Sequence, residues 1–176
     1  MIFHCTLNHP LIGTLVLLAD DERLIRSSYL DSKLAPHIEP AWKRDAKQPI
    51  LKEAVSQLGE YLSGERQKLT VPLRIGGTEF QQRVYEHVLN IPIGTVTNYL
   101  ELARKLKKPL AARSVGAAIG QNPLLIFIPD HRVTTSSGST GGFAGKWNRK
   151  PGLLKLEKQM TSGLNSDLNS TNHDPS

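Results

Sequence analysis

Hydrophobic and polar positions form short alternating runs at the start of the chain and then change to a helical period. Three apolar runs separated by turn-forming residues come first: 2–7, 11–18 and 24–30. Runs of this length bounded by Asn, Pro and Asp are typical of β-strands. The pattern predicts an antiparallel three-stranded meander, and the prolines and mixed charges of residues 31–47 predict a loop.

Apolar residues recur at three- and four-residue intervals after Pro49, from Ile50 to Leu62. This period predicts an amphipathic helix, with Pro49 in its first turn and Gly64 near its end. Thr78 then suits the N-cap of a second helix, whose apolar stripe is expected to contain four residues: Phe80, Val84, Val88 and Leu89. The sequence therefore predicts a sheet followed by a series of helices.

Two short helical segments, 97–107 and 110–120, are separated by Pro109 and fit a helix-turn-helix. The first is expected to turn three residues inward: Leu102, Ala103 and Leu106. In the second, Val115 and Ile119 are the expected core contacts. Its other face carries only small residues beside Arg113: Ala112, Gly116 and Ala117. Such a bare face suits either tight packing inside the protein or close approach to another surface such as DNA.

The last part of the chain contains one apolar run, one helical segment and a polar end. Residues 124–128 are apolar and β-branched, which predicts a strand. Residues 153–158 predict a closing helix. Residues 161–176 are rich in Asn, Ser and Asp and contain too few apolar side chains to bury, so the composition predicts a disordered tail.

Charge is concentrated in one segment of this 176-residue chain, whose net charge is +6 and whose pI is about 9.5. Residues 79–158 hold 12 basic and 5 acidic side chains, against 10 and 9 in residues 1–78. This distribution suits either a surface that meets phosphates or a solvated basic surface. The single cysteine excludes an internal disulfide and any multi-cysteine metal site.

No apolar run reaches the length of a membrane helix, and the first residues lack the pattern of a signal peptide. We therefore expect an intracellular, cytoplasmic protein, located at the nucleoid or nucleus if it acts on DNA. No membrane partner, cofactor or metal site is expected.

Several short motifs follow the second helix of the helix-turn-helix in a fixed order: Asn122-Pro123, Pro129-Asp130-His131-Arg132-Val133, Ser136-Ser137-Gly138, Gly141-Gly142-Phe143 and Leu153-Leu154-Lys155-Leu156-Glu157. With these motifs, the segment 80–157 resembles the DNA-binding domain of the O6-alkylguanine-DNA alkyltransferases, also called methylated-DNA–protein-cysteine methyltransferases. Asp130 stands where that family keeps its methyl-accepting cysteine. In this respect the chain is similar to the alkyltransferase-like proteins, which also lack that cysteine.

The resemblance implies an α/β (α+β) fold with two domains. Residues 1–75 would form a ribonuclease H-like domain, with the antiparallel three-stranded sheet and a helix. Residues 76–160 would form a mostly helical winged-helix or helix-turn-helix domain that binds DNA and holds the active site. Residues 161–176 would form the polar tail.

The resemblance also implies roles for individual residues. The helix-turn-helix would enter the minor groove of duplex DNA, and the alkylated guanine would flip into a pocket. The DNA-binding set is Tyr99, Ala112, Arg113, Ser114, Gly116, Arg132 and Ser136. The pocket set is Tyr99, Pro129, Val133, Phe143, Ala144 and Gly145. The catalytic set is Asp130, His131, Glu157 and Asn122, in which His131 acts through a water on residue 130, Glu157 orients His131, and Asn122 braces the turn.

Asp130 leaves three interpretations open. The chain could be a natural homologue that flips alkylated bases without transferring the alkyl group, or an altered copy of an active methyltransferase. It could also use new chemistry, in which Asp130 forms an alkyl ester that water hydrolyses or activates a water against the base. We expect a monomer that binds O6-alkylguanine in DNA without cysteine-dependent transfer and has downstream repair proteins as partners. A plain DNA-binding or regulatory protein that flips no base is the alternative from another class.

Overall fold

A computed structural model describes residues 1–138 and 149–170, with side chains through residue 163. Its elements in chain order are β1 (Phe3–His9), β2 (Gly13–Ala19), β3 (Leu24–Tyr29), β4 (Lys43–Arg44), α1 (Pro49–Leu62), α2 (Glu79–Leu89), β5 (Thr97–Asn98), α3 (Tyr99–Lys105), α4 (Ala112–Gly120), a 3₁₀ helix (Asp130–Arg132), β6 (Val133–Thr134) and α5 (Arg149–Ser170). None of the described helices combines the length and apolar character needed to cross a bilayer. The mixed α/β architecture agrees with the prediction.

The first sheet has four strands in the order β3-β2-β1-β4, so the predicted three-stranded antiparallel sheet was incomplete. The predicted meander forms β1 to β3, with Phe3 opposite Ala19. The missed strand β4 lies in the segment predicted as a loop and pairs in parallel with β1, where Lys43 stands beside Phe3. Both of its residues are exposed, so no hydrophobic alternation marked it.

Helix α1 covers one face of this sheet, as its apolar period predicted. Leu51, Ala54 and Leu58 are fully buried between the helix and the strands. The helix begins after Gln48, whose side chain accepts a hydrogen bond from the Leu51 amide, and Pro49 occupies its first turn. A buried glutamine cap of this kind fixes the start of the helix against the core.

Helix α2 begins at the predicted cap, because Thr78 and Gln81 form a reciprocal capping box. The predicted apolar stripe was partly wrong, since Leu89 is exposed and Tyr85 is buried in its place. Tyr85 lies beside Val84 on the inner face and donates a hydrogen bond from its hydroxyl to the Ala118 carbonyl, 2.8 Å away. An aromatic residue with a polar end therefore joins α2 to α4.

The predicted bounds of the helix-turn-helix were too wide at both N-termini. Thr97 and Asn98 form β5, which pairs in parallel with β6, and Asn98 caps α3 by accepting from the Glu101 amide. Leu110 precedes α4 and is 99% exposed. The inward residues of α3 are buried as predicted: Leu102, Ala103 and Leu106.

The apolar run 124–128 forms a tight turn, so the predicted strand was wrong. The Ile128 amide donates to the Leu124 carbonyl at 2.8 Å, and Ile126 adopts a φ of 73°. A β-branched residue in this left-handed region is strained by about 1–3 kcal/mol. Ser27 of β3 binds the backbone of this turn, donating from its hydroxyl to the Leu125 carbonyl at 2.9 Å. Contacts from β3 and from the site described below therefore override the strand preference.

Helix α5 runs from Arg149 to Ser170 and is longer than the predicted segment 153–158. The helix continues through residues 161–170, which the composition predicted to be part of a disordered tail. The predicted start of the tail at residue 161 therefore does not match the end of the helix. Apolar residues of α5 complete a core shared by both halves of the chain, with Leu153 buried and Leu156 packed against it.

Arg149 connects the beginning of α5 to the N-terminal sheet. Its guanidinium donates to the Ile12 carbonyl at 2.8 Å and forms an ion pair with Asp31 at 2.8 Å. The same group lies 3.8 Å from the centre of the Tyr29 ring, which is cation–π distance. Three different interactions therefore converge on one side chain at the boundary between the halves.

We expect Arg149→Met to lower the free energy of unfolding by about 2 kcal/mol, because the variant loses a cation–π contact and a charged hydrogen bond but keeps the apolar stem. Urea denaturation followed by circular dichroism measures this loss. Lys158→Met, at an exposed position of the same helix, is the matched control and should stay within about 0.5 kcal/mol. Equal stability of the two variants would show that Arg149 contributes no more than a surface cation.

Candidate functional site

Glu157 is the centre of a buried network at the inner face of α5. Its side chain is fully buried and accepts hydrogen bonds from the Tyr61 hydroxyl at 2.7 Å and from the Arg132 guanidinium at 2.8 and 2.9 Å. The Gly94 amide lies 3.4 Å from Oε2. A buried carboxylate is tolerated when it is paired in this way, and here it joins α1, the loop after α2, the 3₁₀ helix and α5.

His131 is held by the same carboxylate, a pairing that the family resemblance implied. His131 Nε2 lies 2.6 Å from Glu157 Oε1, and the imidazole is 1% exposed. Its other ring nitrogen, Nδ1, is buried and has no hydrogen-bond partner among the residues that the structure describes. The ring is therefore fixed on one side and available on the other, which suits proton exchange with a bound water or substrate.

The charges of this network favour the ionised carboxylate. Burial would raise the pKa of Glu157, but hydrogen bonds from His131 and Arg132 outweigh it and hold the pKa at about 2. Burial and the neighbouring Glu157 charge raise the pKa of Tyr61 well above its usual range, so that its hydroxyl remains a donor. The Glu157 carboxylate at the centre of the network consequently stays ionised at physiological pH.

Arg132 lies in this network, although the resemblance placed it among the DNA-binding residues. It is 9% exposed, and besides Glu157 it donates to the Ile91 carbonyl at 2.7 Å. Among the residues that the structure describes, Arg132 therefore neutralises the buried Glu157 carboxylate and fixes the loop after α2. Tyr61 and Ile91 belong to the same network, but the sequence analysis missed them because neither lies in a motif. In the sequence, a tyrosine on the apolar stripe of a helix cannot be distinguished from an ordinary core residue.

Asn122 braces the turn before Asp130, as the resemblance implied. Its amide donates to the Ile128 carbonyl at 2.9 Å and its carbonyl accepts from the Leu124 amide at 2.9 Å. These two bonds span the reversal at Ile126, which explains how the strained residue is held in place. Pro129, buried at the end of this turn, then leads into the 3₁₀ helix.

Asp130 is the first residue of the 3₁₀ helix and is 8% exposed. Burial and then the Asp130 charge raise the pKa values of Tyr29, Tyr85 and Tyr99, and that of Tyr85 reaches about 12. These tyrosines come from β3, α2 and α3, so aromatic residues of three elements lie within electrostatic reach of the carboxylate. Tyr29 and Tyr85 were missed because neither belongs to a motif.

The exposed face of α4 presents part of the predicted DNA-binding set. Arg113 and Ser114 are exposed, and Ala112 is half-buried. Gly116 is not bare as predicted, because a Cβ there would lie 3.0 Å from the Tyr99 ring. The missing side chain allows Tyr99 to pack across the helix and leaves Ala117 as the exposed small residue.

The remaining predicted residues are divided between buried and exposed positions. Val133 is fully buried in β6, and Ser136 is exposed in the turn that follows. Three pocket residues lie outside the described part of the chain: Phe143, Ala144 and Gly145. Within residues 1–138 and 149–163, no three His, Cys, Asp or Glu side chains come together as a metal site requires.

Sequence comparisons cover both halves of the chain. Residues 2–75 match the family described as 6-O-methylguanine DNA methyltransferase, ribonuclease-like domain, and residues 79–159 match the DNA binding domain of the same family. The chain belongs to the 6-O-methylguanine DNA methyltransferase family. This membership confirms the resemblance and the mixed α/β architecture expected from it.

Curated members of this family match over most of their length. The methylated-DNA–protein-cysteine methyltransferase of Mycobacterium leprae is 39% identical over 159 residues, covering 90% of this chain and 94% of the relative. That of Mycobacterium tuberculosis H37Rv is 40% identical over 158 residues, covering 90% and 93%. The crystal structure of Mycobacterium tuberculosis OGT in complex with DNA aligns with a TM-score of 0.79 at 38% identity, covering 90% and 94%.

This family member has one cysteine, and it lies outside the network. Cys5 is in β1, 3% exposed, and burial raises the pKa of its thiol to about 11. A thiolate is the reactive form of cysteine, so a buried thiol of raised pKa is a poor nucleophile. Cys5 is therefore core packing, as its position in the first strand indicated.

We expect Glu157→Gln to destabilise the protein by about 3 kcal/mol at pH 7, because an amide at this position leaves buried donors unmatched. The folded-state pKa of Glu157 is lowered to about 2, so its stabilising contribution is present above about pH 4.5 and is lost as the pH falls towards 2. The stability difference between the wild type and the variant should therefore shrink over that range. Urea midpoints measured between pH 7 and 3 test this expectation.

The matched control is Glu86→Gln, at an exposed position of α2. Its stability should follow the wild type at every pH, since no buried donor depends on it. A difference between the wild type and Glu157→Gln that stays constant from pH 7 to 3 would contradict the lowered pKa.

Proposed function

We propose that this protein is a DNA repair protein that binds duplex DNA and flips O6-alkylguanine into a pocket beside Asp130, without cysteine-dependent methyl transfer. The observation that carries the proposal is the buried Glu157 network together with the braced turn that leads to Asp130. Asn122 braces the turn, and Glu157 holds His131 and Arg132, while the single thiol of the chain is buried in β1. The supports of the site are therefore assembled around a residue that cannot form a thioether.

Family membership and the exposed face of α4 support the DNA-binding step. The Mycobacterium tuberculosis relative has been crystallised in complex with DNA. By resemblance, α4 would enter the minor groove, where its small residues allow close approach. Arg113 would occupy the space left by the flipped base, and Tyr99, packed against Gly116, would help to rotate the nucleotide.

The chemistry of Asp130 opposes transfer. Methyl transfer from guanine O6 needs a strong nucleophile at carbon, and a carboxylate is a weaker nucleophile than a thiolate. An ionised Asp130 would also place negative charge near O6, which is a hydrogen-bond acceptor. Recognition without transfer follows, and the protein would act inside the cell as a monomer that marks lesions for other repair proteins.

A second candidate is an altered copy of an active methyltransferase. The short contact between His131 and Glu157 favours it, because this pair is the part of the site that would activate a nucleophile at residue 130. A plain DNA-binding protein that flips no base would have no need of this pair. The following three experiments separate these functions.

Incubation with O6-methylguanine duplex DNA should leave the intact protein mass unchanged and the lesion in place, because Asp130 does not accept the methyl group. Mass spectrometry of the protein and chromatography of the digested DNA measure both. A stable gain of one methyl group, or catalytic loss of the lesion, would overturn the transfer-defective function.

The same assay on Asp130→Cys tests whether the site is otherwise competent. Uptake of one methyl group is expected if the network alone suffices to activate a thiol, and Asp130→Ser is the matched control that should take up none. Failure of a folded Asp130→Cys variant would exclude the altered active enzyme.

Lesion binding should depend on Arg113. Arg113→Ala is expected to weaken binding to O6-methylguanine duplex by at least tenfold, or about 1.4 kcal/mol, because the space left by the flipped base is no longer filled. Fluorescence anisotropy with methylated and unmethylated duplexes measures the effect, and Arg44→Ala in β4 is the control. Equal wild-type affinity for the two duplexes would instead identify a plain DNA-binding protein.

A further inference from the structure

Asp130 differs from the other buried polar residues in its lack of a hydrogen-bond partner for its side chain. The described part of the chain has ten buried polar or charged side chains, and nine of them take part in a hydrogen bond. Among the residues that the structure describes, none donates to the Asp130 carboxylate or forms an ion pair with it. Buried polar groups normally have partners, so the partner of this carboxylate is expected to come from outside the chain.

Glu157 illustrates the opposite case, a buried carboxylate that serves the fold. It is fully enclosed and accepts hydrogen bonds from the Tyr61 hydroxyl at 2.7 Å and from the Arg132 guanidinium at 2.8 Å. Asp130 is 8% exposed, and neither of its carboxylate oxygens is among the fully enclosed polar atoms without a partner in the described residues. Both oxygens therefore reach accessible space, and the Asp130 carboxylate is open to a ligand.

The basic side chains on either side of Asp130 in the sequence are bound to other acceptors. Arg132 donates to Glu157 and to the Ile91 carbonyl, and Arg149 donates to Asp31 and to the Ile12 carbonyl. Neither arginine therefore neutralises the carboxylate. A ligand that approaches Asp130 meets an acceptor that the fold has left unpaired.

Aromatic residues add stacking surface to this acceptor. The Tyr29, Tyr85 and Tyr99 side chains all lie within electrostatic reach of Asp130. The Tyr85 hydroxyl already donates to the Ala118 carbonyl at 2.8 Å, and within the described chain no hydrogen bond joins the other two hydroxyls to Asp130. An unpaired acceptor next to aromatic rings suits a flat ligand that carries a hydrogen-bond donor.

The position of Asp130 determines which atom of a flipped purine it would meet. By resemblance, residue 130 stands where the family's cysteine takes the alkyl group from guanine O6, so the substituent at position 6 of the purine would face the carboxylate. An ionised carboxylate accepts hydrogen bonds and donates none. The O6 atom of an alkylguanine is also an acceptor and leaves the carboxylate unpaired, whereas an amino group at position 6 is a donor.

We propose that Asp130 selects the flipped base by accepting a hydrogen bond from an amino group at position 6 of a purine, so that the pocket binds a 6-aminopurine more tightly than O6-alkylguanine. The inference rests on the proposed flipping of a base into this pocket and names the class of base that the pocket prefers. Hydrogen bonds to charged groups are the stronger ones in proteins, and a site discriminates against a ligand that leaves its polar group unpaired. O6-Alkylguanine still enters through fit and stacking, but without a bond to residue 130.

Two purines that differ only at position 6 test the proposal: 2,6-diaminopurine and O6-methylguanine, which is 2-amino-6-methoxypurine. Each is placed in a duplex opposite an abasic-site analogue, so that no base pair has to be broken. Fluorescence anisotropy should show that the wild type binds the diaminopurine duplex about tenfold more tightly, because a charged hydrogen bond is gained. A third duplex with 2-aminopurine, which has hydrogen at position 6, should also bind more weakly than diaminopurine. This comparison separates a gained bond from exclusion of the methoxy group by size.

Substitution of Asp130 should remove the preference. Asp130→Ala has no acceptor, and Asp130→Asn keeps the shape but offers a donor as well as an acceptor, so both variants should bind the diaminopurine and methoxypurine duplexes with similar affinity. Circular dichroism checks that each variant is folded. The matched control is Asp21→Ala, at an exposed carboxylate of the N-terminal half, and it should keep the wild-type ratio of affinities.

Three results would overturn the role of Asp130 while base flipping stands. The first is equal wild-type affinity for the three purine duplexes, with each bound more tightly than a fully paired duplex. The second is a preference for diaminopurine that persists in folded Asp130→Ala. The third is a preference for O6-methylguanine that Asp130→Ala removes, because the carboxyl group would then be a protonated donor to O6. If none of the three purine duplexes is bound more tightly than the fully paired duplex, base flipping and the proposed function fail instead.

Discussion

A buried carboxylate determines how the parts of this protein come together. An ionised glutamate inside a protein costs several kcal/mol unless donors surround it, and Glu157 meets this requirement with groups from distant segments. Tyr61 comes from α1, Arg132 and His131 from the 3₁₀ helix, and Gly94 from the loop after α2. Each of these segments must be in register with α5 for the charge to be tolerated. The requirement therefore couples the N-terminal half to the site.

The same network separates support from reactivity. Glu157 is hydrogen-bonded to His131 and Arg132, and these bonds do not include the side chain of Asp130. Asp130 instead contributes to the raised pKa values of surrounding tyrosines. The pairing of the buried Glu157 charge therefore does not depend on the side chain at position 130. In the proposed function, this arrangement allows the site to lack the methyl-accepting residue and to keep the rest of the network. Recognition and transfer would then rest on different interactions.

The sequence predicted the elements whose stability is local. The hydrophobic period was sufficient to predict α1, and Thr78 was sufficient to predict the start of α2. Burial of one helix face and hydrogen bonding of the amides at a helix end both depend on nearby residues. The strand β4 and the turn at Ile126 were not predictable, since pairing with β1 and bonds from Asn122 fix them from a distance. The His131–Glu157 pair came from resemblance to a family, and no spacing rule joins residues this far apart.

The charges of the outer surface and of the site act in opposite directions on a bound duplex. Lysines near α4 would attract phosphates within about 8 Å at physiological salt, whatever the base. Asp130 lies deeper, and an ionised carboxylate there would repel an acceptor such as guanine O6 at short range. In the proposed function, contacts with phosphates outside the site do not involve Asp130, so binding of duplex DNA would not depend on the residue at position 130. In the proposed function, a preference for an alkylated base would then come from the fit and stacking of the base beside Tyr99 and its neighbours, because an ionised carboxylate would repel the O6 acceptor.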